Sequence, residues 1–332
     1  MIPVRPLEAQ IEPRETDYAK LAIYPDRWVQ QNVPFRMQAW HGKHVVLLTN
    51  SRDFDRTRMA QFVGRLDGGW ERYAELTGRT PQKFRILEDR STICALPRAD
   101  LSCGYGCGYV GATGVEVAGF YDSDWPAFLK DPETFSHYYF YELGRNFYTF
   151  EDRHSLFVTG YAVFMRYVCM DHLKCKDPDL GTRQTIESCE EVYAASEIRF
   201  LEAFTNLTNG EKGNRLTDRR TGRTIAPSDQ PVMYATAMLK LHRDYGGDEW
   251  LRKFYHHLQQ CPQVKATSEA TALQQSLNWL VSASAAAGQD LSPVFVDRWR
   301  MPLQPVQRQR MQSVQWGDPD LNVADVILSL EQ

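Results

Sequence analysis

The chain has 332 residues, 43% of them hydrophobic, and a net charge of −4. That is enough apolar material for a sizeable core in two lobes or two modest domains, and it excludes a disordered chain. Charges of both signs are mixed along the sequence, which argues against nucleic acid or a membrane surface as the main partner, and no run approaches the ~18 apolar residues of a membrane span.

Residues 1–8 lack the apolar core of a signal peptide, so the expected location is the cytoplasm. Seven cysteines, an odd number, suit mostly free thiols in a reducing compartment. Cys103 and Cys107 are a candidate pair, although a chain of this size needs no disulfide scaffold. Oligomeric state is left open.

Residues 1–43 are rich in Pro, Arg and Gln with little periodicity and read as an irregular extension. Order is expected from His44 to Asn50, a short apolar run that makes a strand. Ser51 or Asp53 then caps a helix whose Met59, Phe62, Val63, Leu66, Trp70 and Tyr73 recur at helical spacing, ended by Gly78 and Pro81. Three short strands follow, at Phe84–Leu87, Thr92–Leu96 and Val115–Phe120. Asp131-Pro-Glu starts a helix that runs to about Phe150, and a second helix spans Leu156 to Leu173. The segment from Lys174 to Gly181 is a break, placed as the boundary between residues 44–180 and a helical lobe at 181–303. In that lobe one helix runs from Glu187 to Thr205, and the basic stretch Arg215–Arg223 is a solvated loop. Ser228, Asp248 and Ser268 cap three further helices, the last ended by Gly288, and Asp290–Trp299 forms a short one. Residues 304–332 form a Gln-rich tail in which only Val323–Leu330 is suited to packing.

Between the strands, Gly106-x-Gly108-x-x-Gly111 matches a dinucleotide-binding fingerprint letter by letter. That fingerprint must open a helix, whereas this stretch leads into a strand. The stretch, with Tyr109, is read as a glycine-rich edge where backbone approaches backbone, including that of a bound peptide.

The run Tyr138–Phe147 contains Tyr141-Glu-Leu-Gly-Arg145, and thirteen residues separate Arg145 from Thr159-Gly-Tyr-Ala162. These two segments resemble the helices that carry the zinc ligands in thermolysin-type peptidases. There His-Glu-x-x-His puts two imidazoles on one helix face, and a third ligand opens a Glu-Gly-x-Ala pattern. Tyr141, Arg145 and Thr159 stand at the three ligand positions, and the general-base glutamate persists as Glu142. The closing run Asn278–Trp299 and the stretch Tyr245–Phe254 resemble the end of the helical lobe in enhancin-type and mucin-degrading peptidases. The resemblance therefore spans about 45–303. It implies an α+β, zincin-like (gluzincin) fold, with a small mixed sheet and two active-site helices in the first lobe and a helical second lobe.

An arginine has no lone pair to give a metal, and a phenol is a poor ligand at neutral pH. The resemblance with these replacements implies a metallopeptidase-like protein that is not proteolytic. It binds a peptide, glycopeptide or small anionic ligand, with Arg145 gripping an anion and Thr159, Gly106, Gly108, Tyr109 and Gly111 lining the cleft. One alternative is a metal-free enzyme with Glu142 as acid or base, Arg145 as electrostatic stabiliser and Tyr141 as proton donor. Another is a rebuilt zinc site using His137 and His154, with Glu151 or Asp152. No Gly-x-Ser-x-Gly elbow or Cys-His context offers a nucleophile. A purely structural reading makes Tyr138–Tyr148 an aromatic core helix, with Glu142 and Arg145 as an i,i+3 ion pair.

Overall fold

The computed structural model describes residues 11–154, 158–205, 216–217, 220–222, 224 and 230–331. The chain divides into two compact units: residues 1–75, 79–149 and 165–178, and residues 76–78, 150–164 and 179–332. Secondary structure is mixed α and β, and among the described residues no helix is long and apolar enough to cross a membrane.

The first unit is built on a seven-stranded mixed sheet in the order β1-β2-β3-β5-β7-β6, with β4 paired to β5. The strands are β1 (Arg14–Asp17), β2 (Arg36–His41), β3 (Val45–Thr49), β4 (Ile86–Leu87), β5 (Arg90–Ala95), β6 (Gly106–Gly108) and β7 (Val115–Val117). All five residues of β3 are buried, as its unbroken apolar run requires of a central strand; it runs parallel to β5 and antiparallel to β2. Residues 11–43 are therefore not an irregular extension. They supply β1, β2 and the helix α1 (Pro25–Gln30), whose Trp28 is fully buried. A non-local anchor holds this segment: Tyr18 Oη and the Ile23 N–H both donate to Glu116 Oε1 on β7, each at 2.8 Å.

Helix α2 (Arg56–Thr77) packs its Met59, Phe62, Val63, Leu66 and Tyr73 inward. Its cap is Asp55, which accepts from the Arg58 N–H at 2.7 Å, rather than Ser51 or Asp53. The carboxylate of Asp67 on α2 accepts the backbone N–H groups of Lys43, His44 and Val45 at 2.6, 2.7 and 3.0 Å, which fixes the turn between β2 and β3.

The helix expected from Asp131 begins later. Asp131 instead closes α3 (Trp125–Lys130), its N–H bonded to the Ala127 carbonyl at 2.9 Å. The next residues are drawn into a bridge with the segment beyond α5 (Val158–Leu173): Lys176 N–H donates to Glu133 O at 2.7 Å and Phe135 N–H to Lys176 O at 3.0 Å. Helix α4 therefore spans only His137–Asn146. The expected start of α5 at Leu156 lies outside the described residues.

The second unit is helical. Helices α6 (Leu180–Ala194) and α7 (Phe200–Phe204) replace the single helix expected over Glu187–Thr205. The break is held by Arg300, whose guanidinium donates to the carbonyls of Tyr193, Ala194 and Ile198 at 3.1, 3.2 and 2.9 Å, taking the acceptors a continuous helix would use. Helix α8 (Gln230–Asp244) follows; Ser228, its expected cap, and most of Arg215–Arg223 lie outside the described residues. Helix α9 (Gly247–Leu258) is entered through Gly246 at φ 111°, not through Asp248, whose carboxylate is taken by His242 Nε2 at 3.0 Å. Helix α10 (Glu269–Ala287) has Ser268 in a capping box and Gly288 at φ 65° as its stop, as the sequence indicates. Trp279 of α10 packs against Phe204, Tyr234, Phe295 and Trp299. Residues 293–298 form a π-helical turn, and the presumed tail forms α11 (Pro305–Ser313) and α12 (Val323–Glu331), burying Met311, Val323, Ile327 and Leu330.

Candidate functional site

Helix α4 has two faces. Tyr139, Phe140, Leu143 and Phe147 are buried in the first unit, and Tyr73 Oη reaches across from α2 to donate to the Phe140 carbonyl at 2.7 Å. Gly144 lies where that phenol passes: a Cβ there would sit 3.1 Å from Tyr73 Oη. Tyr138, Tyr141 and Arg145, spaced three and four apart, are only half-buried and share the opposite face.

Glu142 lies between the two faces and is 4% exposed. Among the described residues its Oε2 has no hydrogen-bond partner; it lies 3.7 Å from Arg145 Nε. Burial pushes this carboxyl up to about 7, against the opposing pull of the Arg145 guanidinium and of the Gly108 N–H. A carboxyl poised there exchanges protons readily at neutral pH.

The glycine-rich stretch leads from β6 into β7 with no helix, as expected, so it is not a dinucleotide fingerprint in three dimensions. Its backbone approach is made by α4 of the same chain. A Cβ on Gly106 would meet Glu142 Oε1 at 2.6 Å, and one on Gly108 would meet the Glu142 carbonyl oxygen at 2.6 Å. Arg145 Nε donates to Gly108 O at 3.1 Å, Asn146 Nδ2 to Tyr109 O at 2.9 Å, and the Gly111 N–H to Arg145 O at 3.0 Å. Tyr109 is held edge-on by Phe84, with ring centres 4.9 Å apart. Cys103 and Cys107 are bonded to each other and tie the loop that leads into β6 to the strand itself, whereas the other five cysteines are free.

Tyr141, Glu142, Arg145, Gly106, Gly108, Tyr109 and Gly111 thus belong to one neighbourhood of the first unit. Thr159, half-buried on the first turn of α5, belongs to the second.

The residues named for a rebuilt zinc site do not fit one. His137 is 6% exposed, and its Nδ1 lies 2.9 and 3.0 Å from the two carboxylate oxygens of Asp177. His154 is enclosed in the second unit by Phe150, Phe254 and Trp279, with Nε2 hydrogen-bonded to Tyr234 Oη. Burial holds its imidazole down at about 3. Glu151 and Asp152 are exposed, and among the described residues no group of three or more His, Cys, Asp or Glu side chains is placed to hold a metal ion.

One neighbour was not singled out by sequence reasoning. Arg166 of α5 is 6% exposed, with its guanidinium carbon 5.9 Å from the centre of the Tyr141 ring and 4.6 Å from that of Tyr167. One Nη donates to Tyr167 Oη at 2.7 Å; Nε is buried without a partner, and no carboxylate pairs with the group among the described residues. A lone arginine in the otherwise apolar run Tyr161–Met170 was the available signal.

No family model matches the chain, and no curated protein matches it. Among solved structures, the chain is similar to a mutant of a functionally unknown conserved protein from Bacillus anthracis str. Ames. The identity is 12%, the TM-score 0.52, and the alignment covers 90% of this chain and 57% of that one, so this chain spans little more than half of that protein's length. A second solved chain, a functionally unknown conserved protein of the same strain, aligns at 12% identity over the same shares with a TM-score of 0.49. At such identity the first likeness is one of fold alone.

Proposed function

We propose that this is a zincin-like protein whose former ligand positions serve a non-proteolytic purpose: binding a small anionic ligand on the Tyr141–Arg145 face of α4. The observation that carries the reading is Arg145, a half-buried guanidinium whose nearest carboxyl, Glu142, is pushed up to about 7 and so only half neutralises it at neutral pH. Protonated Glu142 and the phenol of Tyr141 are further donors for an anion. A peptide or glycopeptide added to β6 is the less favoured ligand, because the Gly108 carbonyl is already engaged by Arg145.

The titration position of Glu142 also supports a second reading, in which it is the acid or base of a metal-free enzyme acting on the bound anion. Unaided peptide hydrolysis is not part of either reading, since Tyr141, Arg145 and Thr159 are a poor donor set for an ion that would activate the water.

The test is a thermal-shift screen of small carboxylates, phosphates and acidic peptides against wild type, Arg145→Ala, Tyr141→Phe and Glu142→Gln. Stabilisation of wild type by a small anion, lost in Arg145→Ala, is expected. If no anion distinguishes wild type from these folded variants, the site is an ordinary helix face and the reading fails.

A further inference from the structure

The first unit buries a second cation beside the same phenol. We propose that Arg166 is an anion-binding residue and that the ligand of this site is doubly anionic, a small dicarboxylate with one carboxylate on Arg166 and the other on Arg145. The inference rests on the anion-binding reading of Arg145 given above.

A buried guanidinium without a counter-charge is costly, because desolvation of the charge is not offset by a paired anion. Arg166 is in that condition: it is 6% exposed and, among the described residues, its Nε has no partner and its one hydrogen bond is to the neutral phenol of Tyr167. Ring faces at 4.6 and 5.9 Å offset part of the cost through their quadrupoles, but they leave Nε, one donor of the planar N–H fork, without a partner. That fork is the group whose geometry matches a carboxylate.

The position of the fork matters as much as its vacancy. Tyr141 and Arg145 are one helical turn apart on the same face of α4, and the Arg166 guanidinium lies against the Tyr141 ring. Tyr141 thus has the Arg166 guanidinium against its ring and Arg145 one turn further along its own helix face, while the Glu142 carboxylate lies 3.7 Å from Arg145. A single carboxylate satisfies one of these cations, and a short dicarboxylate satisfies both. A lysine at 166 would keep the charge and lose the fork.

The experiment is calorimetric titration of wild type, Arg166→Met, Arg166→Lys and Arg145→Lys with propionate and with succinate. Wild type is expected to bind succinate at least about tenfold more tightly than propionate, a ratio that falls to about one in Arg166→Met and recovers only in part in Arg166→Lys. Affinity for propionate should persist in Arg166→Met and weaken in Arg145→Lys. Melting temperatures without ligand supply an independent readout. Arg166→Met should melt higher than wild type, since a buried unpaired charge is removed, and succinate should close or reverse that gap.

An unchanged succinate-to-propionate ratio in folded Arg166→Met overturns the role of Arg166 while leaving the Arg145 reading intact. Absence of binding by either acid to wild type overturns the dicarboxylate assignment, while the Arg145 reading stands or falls with the wider anion screen. A lower melting temperature for Arg166→Met in the absence of ligand identifies Arg166 as an ordinary stabilising residue and also overturns the proposal.

Discussion

Arg145 Nε stands 3.7 Å from Glu142 Oε2 while donating to the Gly108 carbonyl at 3.1 Å, so one guanidinium both faces a buried acid and fastens the edge strand to the helix beneath it. The ion pair is incomplete because Glu142 is desolvated more than it is compensated.

A pH dependence of stability follows from that imbalance. The Glu142 carboxyl is raised from an ordinary 4.5 to about 7 in the folded chain. Its contribution is fully present below 4.5, where both states are protonated, and is lost as pH rises towards and through 7, where folding must compete with ionisation of the unfolded chain. The loss is at most about 3 kcal/mol. Glu142→Gln removes the titration, so the stability of the variant relative to wild type should climb between about pH 4 and pH 8 in denaturant melts. A pH-independent difference would show that Glu142 titrates normally.

The two glycines facing Glu142 should respond differently to a methyl group. At Gly108 the obstacle is the backbone carbonyl of Glu142, 2.6 Å from the new Cβ, and it cannot swing away. Gly108→Ala is expected to cost about 1–3 kcal/mol, as overpacking does. At Gly106 the obstacle is the Glu142 carboxylate itself at 2.6 Å, the end of a side chain that can turn. Gly106→Ala should cost less and should drive the carboxylate towards water, bringing its titration down towards the usual range. Equal stability losses in chemical denaturation, with no change in the Glu142 titration by NMR, would contradict this ordering.

His154 sets an acid limit for the second unit. Burial lowers its imidazole from 6.5 to about 3. The stability it preserves is present above 6.5 and is lost as pH falls through 6.5 towards 3, because the unfolded chain takes up the proton first. The slope is about 1.4 kcal/mol per pH unit over that window. His154→Gln lacks the titration, so its deficit relative to wild type should shrink on acidification. A constant deficit between about pH 7 and pH 4 would mean that the ring is not held neutral.

The thiol inventory is testable by mass. Cys103 and Cys107 are joined and five cysteines are free, four of them buried. Alkylation of the unfolded, unreduced chain should add five adducts, and prior reduction should raise that to seven. Seven adducts without reduction would show that the pair is not bonded in the isolated protein. Closing so short a loop contributes roughly 2 kcal/mol by the chain-entropy model, so reduction should lower the denaturant midpoint by a corresponding amount.

The sequence by itself determined what neighbours within a few positions decide. Helical spacing marked the buried face of α2, Ser268 and Gly288 marked both ends of α10, and the apolar run within His44–Asn50 marked a strand. It also singled out Tyr141, Glu142 and Arg145 as a group, through the resemblance to His-Glu-x-x-His, in which the two positions four apart share a helix face whatever surrounds them.

Tertiary structure decided the rest. Residues 14–41 joined the sheet because Glu116, far along the chain, accepts from Tyr18 and Ile23. Helix α4 started late because Glu133 and Phe135 found Lys176, and α6 ended early because Arg300 took its last carbonyls. The chemistry of the candidate site is of the same kind. The proton affinity of Glu142 comes from desolvation and the unpartnered Nε of Arg166 from its burial, and burial is a property of everything packed around a group, which no local pattern of residues encodes.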